Sequence, residues 1–365
     1  MNPEESGKTR SPRVLIASVF LLAAAVVLLI LSLAEGPFSS AVRTRRGFQL
    51  DGGDRVFYAQ AGNGLCAAST GSIQLFSSSG KCVASEEVSM ADPACSGCSY
   101  LGAYYDIGRP GIRILYPDGR KTYTDTEGAV RFASVNETGL VSVIMDKSGY
   151  KGSVMVYDTD LSPLFRWDAG SSYPVAARLD REDLLCVASA GDEGSSLRFF
   201  RIDREAEQAA LTLPDVRVLD IGFLVDGTVC ALAADRLLFV SPEGELEAEH
   251  SFEGRHPDGY CLRGSFAAVS TVSGEGGGSA VLTALDSRGR ILGSCAADRS
   301  ILSMSGAGDR LLVLFQGRES TLYDSSLREQ VSYQPPEGVS QAFLFSDGRA
   351  LFGGETRATS IDFGR

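Results

Sequence analysis

The sequence predicts an all-β protein: a β-propeller of four-stranded blades, preceded by one transmembrane helix. Three observations lead to this prediction. An apolar run without a charge covers residues 14–34, and short runs of alternating apolar and polar residues follow it to the end of the 365-residue chain. One hairpin pattern then recurs about every 40 residues, which is the length of a four-stranded propeller blade.

The apolar run has the length and composition of a helix that crosses a bilayer. Leu, Val, Ala and Ile dominate residues 14–34, and neither Pro nor Gly interrupts them. At about 1.5 Å per residue, a helix of this length spans a hydrocarbon core of about 30 Å. Glu35, Gly36 and Pro37 then place a charge and two helix-breaking residues at the expected water boundary.

The basic residues on either side of the run predict its orientation. Three lie within residues 8–13 and three within residues 43–46, and the N-terminal group is closer to the run. A first apolar segment behind a short basic flank inserts as a signal-anchor, with its N-terminus in the cytoplasm. We therefore expect a cytoplasmic tail over residues 1–13, a basic stalk over residues 35–46, and an extracytoplasmic propeller domain over residues 47–365 at the cell membrane.

A cleaved signal peptide is the alternative to a retained anchor. Ser32, Leu33 and Ala34 fit the small-x-small rule for cleavage after Ala34. Signal peptides usually have apolar regions of only about 7–15 residues, which is shorter than this run. Both interpretations place the domain outside the cytoplasm, and they differ in whether it stays attached.

The part of the chain beyond the stalk is strongly acidic. The first 46 residues hold six basic and three acidic residues, which leaves 28 basic and 43 acidic residues, a net charge of −15, for the remainder. Nucleic acid and anionic lipid surfaces would repel such a domain. We expect no nucleic-acid partner, and contact with the membrane through residues 14–34.

The eight cysteines divide into two kinds of setting. An even count in an exported domain permits disulfides. Cys66, Cys186 and Cys230 lie in apolar strand runs and are interpreted as buried core thiols. Cys95 and Cys98 lie in the loop-like stretch DPACSGCSY and are candidates for a local disulfide or a redox-active pair. The chain has neither a second CxxC motif nor a suitably spaced His, which argues against a zinc site.

The repeat consists of a strand that ends in an aromatic or aliphatic residue, a tight polar turn, and another short strand. Each interval holds two further strands before the next copy, joined by turns that suit hairpins, such as Asp226-Gly227. Seven copies read SIQLFSSSGKCV, GIRILYPDGRKTY, SVMVYDTDLSPLF, LRFFRIDREAEQA, RLLFVSPEGELEA, AVLTALDSRGRIL and STLYDSSLREQVS, and an eighth, ATSIDFGR, stops at the C-terminus.

The last copy predicts how the ring closes. The end of the chain follows its third strand, residues 357–363, and we expect residues 47–50 to supply the missing fourth strand. Pairing both ends of the chain in one blade removes exposed sheet edges that would template aggregation. Seven copies and one closing blade predict eight blades. Seven blades is the alternative, if residues 85–123 form an irregular insertion.

With this apolar run and this repeat, the chain resembles a family of uncharacterised bacterial single-pass membrane proteins, a domain of unknown function with an exported, propeller-like domain. The resemblance covers nearly the whole chain and rests on the signal-anchor, the segment GLVSVIMDKSGYKGSVMVYD, and the turns YDTDL at 157–161 and YDSSL at 323–327. It implies an architecture and a compartment, and no activity. The period is also similar to that of quinoprotein-like and WD40-like propellers, but Trp167 is the only Trp in the chain.

No residue pattern predicts a catalytic, cofactor-binding or metal-binding site. Asp106, Asp146 and Asp220 are candidate carboxylates for a glycosidase or lyase of the propeller type, but nothing in their spacing pairs any two of them. His250 and His256 lie in the stretch HSFEGRHPDGY, which we interpret as a solvated loop rather than a metal site. We assign no such residue and expect no cofactor.

The sequence therefore favours a membrane-tethered scaffold over an enzyme. Its expected partner is a protein or a cell-envelope polymer, since propellers present loops at two faces and a central channel. The alternative is an exported enzyme of the glycosidase or lyase type, with an axial site assembled from several blades. The tyrosines in loop-like positions are candidate contact residues, and burial of many of them within strands is the alternative: Tyr100, Tyr104, Tyr105, Tyr150, Tyr173 and Tyr260.

Overall fold

The computed structural model describes residues 43–49, 56–204, 206–274, 280–317 and 319–363, and the regular structure in these residues consists of β-strands. Within these ranges, no helix is long and apolar enough to cross a membrane. The predicted tail and transmembrane segment, residues 1–34, and most of the predicted stalk lie outside the described residues.

The first four blades follow one another along the chain from residue 57 to residue 214. Their strands are β2 (Phe57–Ala61), β3 (Gly64–Ala68), β4 (Ser72–Phe76) and β5 (Cys82–Glu87) in blade 1; β6 (Pro93–Gly97), β7 (Gly102–Asp106), β8 (Ile112–Leu115) and β9 (Lys121–Thr124) in blade 2; β10 (Val130–Val135), β11 (Val141–Met145), β12 (Gly152–Tyr157) and β13 (Pro163–Ala169) in blade 3; and β14 (Tyr173–Leu179), β15 (Leu184–Gly191), β16 (Gly194–Arg201) and β17 (Glu207–Pro214) in blade 4.

The other four blades complete the ring, and the last of them takes one strand from the N-terminal side. Their strands are β18 (Val218–Phe223), β19 (Val229–Ala233), β20 (Arg236–Val240) and β21 (Leu246–Ser251) in blade 5; β22 (His256–Cys261), β23 (Ala267–Val272), β24 (Ala280–Leu285) and β25 (Ile291–Ala297) in blade 6; β26 (Ile301–Ala307), β27 (Arg310–Phe315), β28 (Glu319–Asp324) and β29 (Glu329–Tyr333) in blade 7; and β30 (Val339–Leu344), β31 (Arg349–Gly354), β32 (Arg357–Asp362) and β1 (Arg43–Gln49) in blade 8.

The predicted eight-bladed propeller is confirmed. Residues 93–124 form a complete blade 2, so the seven-bladed alternative is wrong. In blade 8, β1 pairs antiparallel with β32, with Thr44 opposite Ile361. This strand begins at Arg43, four residues before the expected start at Gly47, so part of the segment expected as a stalk is strand.

Two faces of the ring carry different connections. The first strands of successive blades contact one another, as β2 contacts β6 and β26 contacts β30, so first strands lie at the axis and fourth strands at the rim. We call upper face the one with the connections between blades and those from second to third strands. The lower face carries the connections from first to second and from third to fourth strands.

The hydrophobic core consists of layers between blades rather than one central mass. In the described residues, each of eight buried clusters joins two neighbouring blades. The second strands lie deepest, because both of their sides face another blade: β3, β11 and β19 are buried at every residue. The thiols of Cys66, Cys186 and Cys230 are fully buried there, as their apolar runs predict.

A β-bulge recurs near the upper end of the first strand in blades 3 to 8. It places one unpaired residue between two paired ones, as with Leu219 between Val218 and Asp220, and it increases the local twist. The extra residues of the six blades are Arg131, Val175, Leu219, Asp258, Leu302 and Ser340.

A second bulge recurs in the fourth strand, near the lower face. It occurs in blades 1, 3, 4, 5, 6 and 7, and β1 carries a register shift of the same kind in blade 8. Bulges at a sheet edge twist the edge away from other strands and reduce edge-to-edge pairing. In blade 2, β8 and β9 pair in an unbroken register from Ile112–Thr124 to Leu115–Lys121.

The repeated polar turns owe their sequence to two local requirements. The Asp158 carboxylate accepts hydrogen bonds from the backbone N–H groups of Asp160 and Ser162 at 2.9 and 2.8 Å, which closes the turn. The fourth position has a left-handed backbone, with φ of 64° at Leu161 and 57° at Leu327 in the blade 7 turn, where the turns of blades 1, 2, 5 and 6 have Gly at 80, 119, 244 and 289. Leu161 is only 6% exposed, so burial in the layer between blades 2 and 3 offsets its backbone strain.

Side chains satisfy backbone groups along the edges of the first strands. The hydroxyl of Ser303 accepts a hydrogen bond from the N–H of Ala342 in the next blade at 3.1 Å. At the closure, the Gln341 side-chain carbonyl accepts from the N–H of Tyr58 at 3.1 Å, and the Tyr58 hydroxyl donates to the Gly354 carbonyl at 2.5 Å. These bonds fasten blade 8 to blade 1 and leave fewer unpaired groups facing the axis.

Deleting residues 356–365 should destabilise the whole domain rather than one blade, because it removes β32, on which β31 and β1 both pair. It also removes the buried Ile361 and Phe363, which contribute about 2–3 kcal/mol each. We expect the melting temperature to fall by at least about 10 °C in a single transition. Calorimetry of the full chain and of the truncated chain measures this fall.

A chain that lacks only its last two residues is the control and should melt like the full chain. An unchanged melting temperature for the ten-residue deletion would contradict closure through β32.

Candidate functional site

The six candidate contact tyrosines divide between core and surface. Tyr104 and Tyr105 are buried in β7, so their interpretation as contact residues is wrong. The second strand faces neighbouring blades on both sides, and the Tyr104 hydroxyl donates to the carbonyl of Gln74 in blade 1 at 2.7 Å. The other four are exposed: Tyr100 by 61%, Tyr150 by 48%, Tyr173 by 56% and Tyr260 by 41%.

The upper face presents most of the large apolar side chains that are exposed outside the rim. Leu219 and Leu302 are extra residues of first-strand bulges, and the others begin first strands or lie in connections from second to third strands. They are Phe57, Ile107, Tyr150, Tyr173, Leu219 and Leu302. On the lower face the corresponding described residues are Tyr100 and Val225. This asymmetry makes the upper face the candidate interaction surface.

The bulges explain why apolar side chains protrude at the upper mouth of the axis. An extra residue has no partner in the ladder, and its side chain leaves the alternation that would bury it. Leu219 is 51% exposed and Leu302 is 46% exposed. Between them in ring order lies Asp258, whose carboxylate accepts a hydrogen bond from the N–H of Ile301 at 3.3 Å. The mouth therefore offers two aliphatic side chains, Leu219 and Leu302, with Asp258 between them. The carboxylate of Asp258 already accepts a hydrogen bond within the protein.

An aromatic corner lies on the same face between blades 3 and 4. The Lys151 ammonium is 4.7 Å from the centroid of the Tyr173 ring and donates to the Tyr173 hydroxyl at 3.3 Å. The backbone of Lys151 is fixed by a 2.8 Å hydrogen bond to the carbonyl of Ala169. Tyr150, next to Lys151, is half exposed in the connection from β11 to β12. Two tyrosines and a cation thus share a rigidly held corner.

Ion pairs surround this corner on blade 3. Arg131 binds the predicted carboxylate Asp146, with Nη2 and Oδ2 2.6 Å apart, and this hydrogen bond lowers the pKa of Asp146. Lys147 and Arg166 both bind Glu127, at 3.0 and 2.8 Å. The charges of the corner are therefore mostly paired within the blade.

A polar cluster lies further down the axis and ties together blades 3 to 6. Arg178 donates to both carboxylate oxygens of Asp220, at 3.0 and 3.1 Å, and to the hydroxyl of Ser134 at 3.4 Å. The Tyr260 hydroxyl donates to the same carboxylate at 3.2 Å. Burial, and then the charge and hydrogen bond of Asp220, raise the pKa of Tyr260 to about 12, so it stays a neutral donor.

The three carboxylates considered for glycosidase or lyase chemistry lie in three different blades. Asp220 binds Arg178, Asp146 binds Arg131, and Asp106 accepts from the N–H groups of Ala91 and Asp92, the latter at 2.7 Å. Each of the three stabilises a local arrangement of donors. The structure brings no two of them into one hydrogen-bonded group.

Cys95 and Cys98 are free thiols on either side of the lower end of β6. Cys95 belongs to β6, where its Sγ lies 3.6 Å from the carbonyl of Phe57. Cys98 lies in the following turn and accepts from the N–H of Tyr100 at 3.4 Å. Burial raises the pKa of both thiols, which disfavours the thiolate that redox chemistry requires.

The two histidines are strand residues, so the interpretation of HSFEGRHPDGY as one solvated loop is wrong. His250 lies in β21 and His256 begins β22. The ring of His250 packs on Phe252, and burial lowers its pKa. Among the described residues, no three His, Cys, Asp or Glu side chains are placed to hold a metal ion.

The mouth residues Leu219 and Leu302 are absent from the sequence interpretation, although a signal for them exists. In a regular strand, residues that face the same side are an even number apart. Val218 and Ile221 are both buried and three apart, and Val130 and Ala133 show the same spacing. An odd spacing of buried positions indicates a bulge and hence a protruding residue between them.

Replacing Asp220 with Asn should lower the free energy of unfolding by about 1–2 kcal/mol, because Arg178 and Tyr260 lose a charged acceptor. The Arg178 and Asp220 side chains are 32% and 15% exposed, so solvent screening keeps the loss below that of a fully buried pair. A double-mutant cycle with Arg178→Met in urea unfolding measures the coupling.

The matched control is Asp146→Asn on the pair Arg131–Asp146, whose side chains are 55% and 51% exposed. It should change stability by less than about 0.5 kcal/mol. Equal losses at the two pairs would contradict a special role for the axial cluster.

Solved structures with this architecture are numerous but distant in sequence. BamB from Moraxella catarrhalis has a TM-score of 0.63 and 11% identity, over 89% of this chain and 99% of its own. The C-terminal WD40 domain of Sif2 has a TM-score of 0.65 and 9% identity, over 89% of this chain and 99% of its own. Sqt1 from Saccharomyces cerevisiae has a TM-score of 0.65 and 11% identity, over 88% of this chain and 98% of its own. At such identities the likeness shows the propeller fold alone.

The comparison of sequences gives one match. No curated protein is detectably similar to the chain. The model of a family of unknown function, DUF5711, matches residues 40–356, which include β1 to β31 and stop just before β32. The match thus covers most of the chain and the whole ring except its last strand, β32. The chain belongs to the DUF5711 family of unknown function.

Proposed function

We propose that this chain is a membrane-tethered, extracytoplasmic scaffold that binds a protein partner through the upper face of its propeller. The observation that carries the proposal is the concentration of half-exposed apolar and aromatic side chains on that face, from Tyr173 at the corner to Leu219 and Leu302 at the axial mouth. Aromatic and aliphatic anchors of this kind dominate the energy of protein interfaces.

The rigidity of the upper face supports this role. Lys151 holds the Tyr173 ring from one side, and backbone pairing of Tyr173 with Ala190 holds it from the other. A preformed aromatic anchor loses little conformational entropy when it binds. At the mouth, Leu219 lies in β18, which pairs with β19, a strand that is buried at every residue.

The proposed compartment follows from the sequence outside the described residues. The apolar run of residues 14–34, with its N-terminal basic flank, supports a retained signal-anchor. An anchor of this kind would hold the propeller within a short stalk of the membrane surface. Partners at or near that surface would then meet the propeller at a high effective concentration.

Tyr173→Ala together with Leu219→Glu should reduce the capture of the partner by at least about tenfold, which corresponds to about 1.4 kcal/mol. The measurement is chemical crosslinking of the full-length chain in intact cells, followed by quantitative mass spectrometry of the captured proteins. The matched control is Tyr100→Ala, since Tyr100 is 61% exposed on the lower face.

Loss of the same partner with Tyr100→Ala, and not with the upper-face variant, would place the interface on the lower face and refute the proposal. Capture of only the chain itself in every variant would refute a protein-binding role for this face.

Deleting residues 14–34 should release the protein from carbonate-washed membranes, whereas the full chain should stay with them, because the apolar run is the expected anchor. Quantitative blotting of membrane and soluble fractions measures this. N-terminal sequencing of the full chain separates the two interpretations of the run. A mature protein that begins at Glu35 would show a cleaved signal peptide and contradict the tether.

A further inference from the structure

We infer that the rim of blade 2 is a second protein contact, at which β9 accepts an extended segment of a partner as an added strand. This inference rests on the proposed protein-binding function but assigns it a different surface and a different mode of recognition. Strand addition uses the backbone groups of an exposed edge, with neighbouring side chains selecting the sequence.

The first observation is the unbroken edge of β9. In the other seven blades the fourth strand, as far as the structure describes it, carries a bulge or register shift that interrupts its outer row of backbone groups. In β9 all four residues pair with β8 in sequence, from Lys121 opposite Leu115 to Thr124 opposite Ile112. The protection that a bulge gives an edge strand is therefore missing in blade 2.

The second observation is the direction of the backbone groups in β9. The N–H of Tyr116 donates to the carbonyl of Arg120 at 3.0 Å, which makes Arg120 a hydrogen-bonded position of the ladder. Because such positions alternate in an antiparallel pair, Thr122 and Thr124 bond inward to β8. The N–H and C=O groups of Lys121 and Tyr123 consequently point away from the blade, two residues apart, as an added strand requires.

The following blade leaves this edge open. In blades 4 and 5 the turn of the next blade packs against the fourth strand: a carbon built at Gly244 would lie 2.8 Å from the Cβ of Ala209 in β17, and one built at Gly289 would lie 2.7 Å from the Cβ of Ala248 in β21. The turn of blade 3 instead contacts the turn of blade 2, where the Tyr116 hydroxyl donates to its backbone at 2.5 Å.

The side chains beside the edge indicate what a partner segment would carry. The Tyr123 ring is 47% exposed and lies over the Arg113 guanidinium at 4.7 Å, and Arg113 is itself held by Glu86 at 3.2 Å. Lys121 is exposed, and none of the described carboxylates lies within ion-pair distance of its ammonium. A carboxylate opposite Lys121 and an apolar side chain against Tyr123 would complement this edge.

The size of the edge decides between a second copy of the chain and a flexible segment. Two rigid propellers that meet at four residues would share about four backbone hydrogen bonds, each contributing about 0.5–1.5 kcal/mol net. Their contact would fall well below the roughly 1,000 Å² expected of a stable interface. An extended segment can follow the strand and also cover Tyr123 and Arg113. The edge therefore fits an acidic, β-branched segment of another protein.

The test selects a phage-displayed library of random dodecapeptides on the immobilised full-length chain and compares binding to the variants Tyr123→Ala, Tyr123→Pro, Tyr173→Ala and Lys121→Glu. Tyr123→Ala removes the ring and keeps the outward N–H, whereas Tyr123→Pro removes both and leaves the inward ladder of β9 intact. We expect enriched clones to contain acidic residues beside β-branched ones. They should bind Tyr123→Pro at least about fivefold more weakly than Tyr123→Ala and bind the Tyr173→Ala control like the unmodified chain. Thermal melting of the two Tyr123 variants should show both folded.

Several outcomes would overturn the inference. No enrichment of clones, or equal binding to Tyr123→Pro and Tyr123→Ala, would exclude strand addition at β9. Clones that lose binding to Tyr173→Ala alone would support the upper face and refute this second contact. A dimer in sedimentation equilibrium that disappears with Tyr123→Pro would assign the edge to a second copy of the chain.

One further outcome would support the inference. Acidic clones should lose binding to Lys121→Glu, and selection on that variant should enrich basic clones instead.

Discussion

Each blade of this propeller buries its sides only against the blades next to it, and the rest of the structure depends on that constraint. The core is therefore a set of layers between blades, and the layer between blades 8 and 1, which contains Tyr58, Leu65 and Leu351, forms only when the ring closes. An open row of blades would leave two apolar faces in water, at about 25 cal/mol for each Å². The pairing of β1 with β32 prevents this, because it places the first and the last strand of the ring in one sheet.

The same constraint separates stable parts from parts that are free to recognise ligands. Second strands such as β11 and β19 are held on both sides and carry the apolar runs. First and fourth strands have one free edge each, and in most blades their ladders change register there. The residues released by these changes, such as Leu219 at the axis and Leu292 at the rim, are exposed although they are apolar. The contact residues of the proposed upper-face interface thus lie where the strand ladder is irregular, whereas the proposed contact at β9 uses the one fourth strand whose described ladder is regular.

The sequence predicts the blade count, the strand order and the buried thiols, because all three follow from periodicity and from local turn chemistry. The Asp158 turn repeats because two N–H groups must be satisfied within four residues. The exposed residues of the candidate surface are harder to predict from periodicity and turn chemistry. Tyr104 and Tyr173 are both candidate contact residues from the sequence, yet one packs between blades and the other is exposed, because neighbours far along the chain decide burial. The axial contact of Arg178 with Asp220 joins residues from different blades and has no local signature.

Closure through β1 also sets an order of events when the chain is made. β1 leaves the ribosome before any other strand of the ring, and its partner β32 leaves last. Blades 1 to 7 consist of strands that are consecutive in sequence, so each can pair as it emerges. The contact between Tyr58 and Gln341 spans 283 positions, and loop closure over such distances is slow. β1 therefore has no partner strand in its blade until β32 has left the ribosome, and blade 8 is the last blade to be completed.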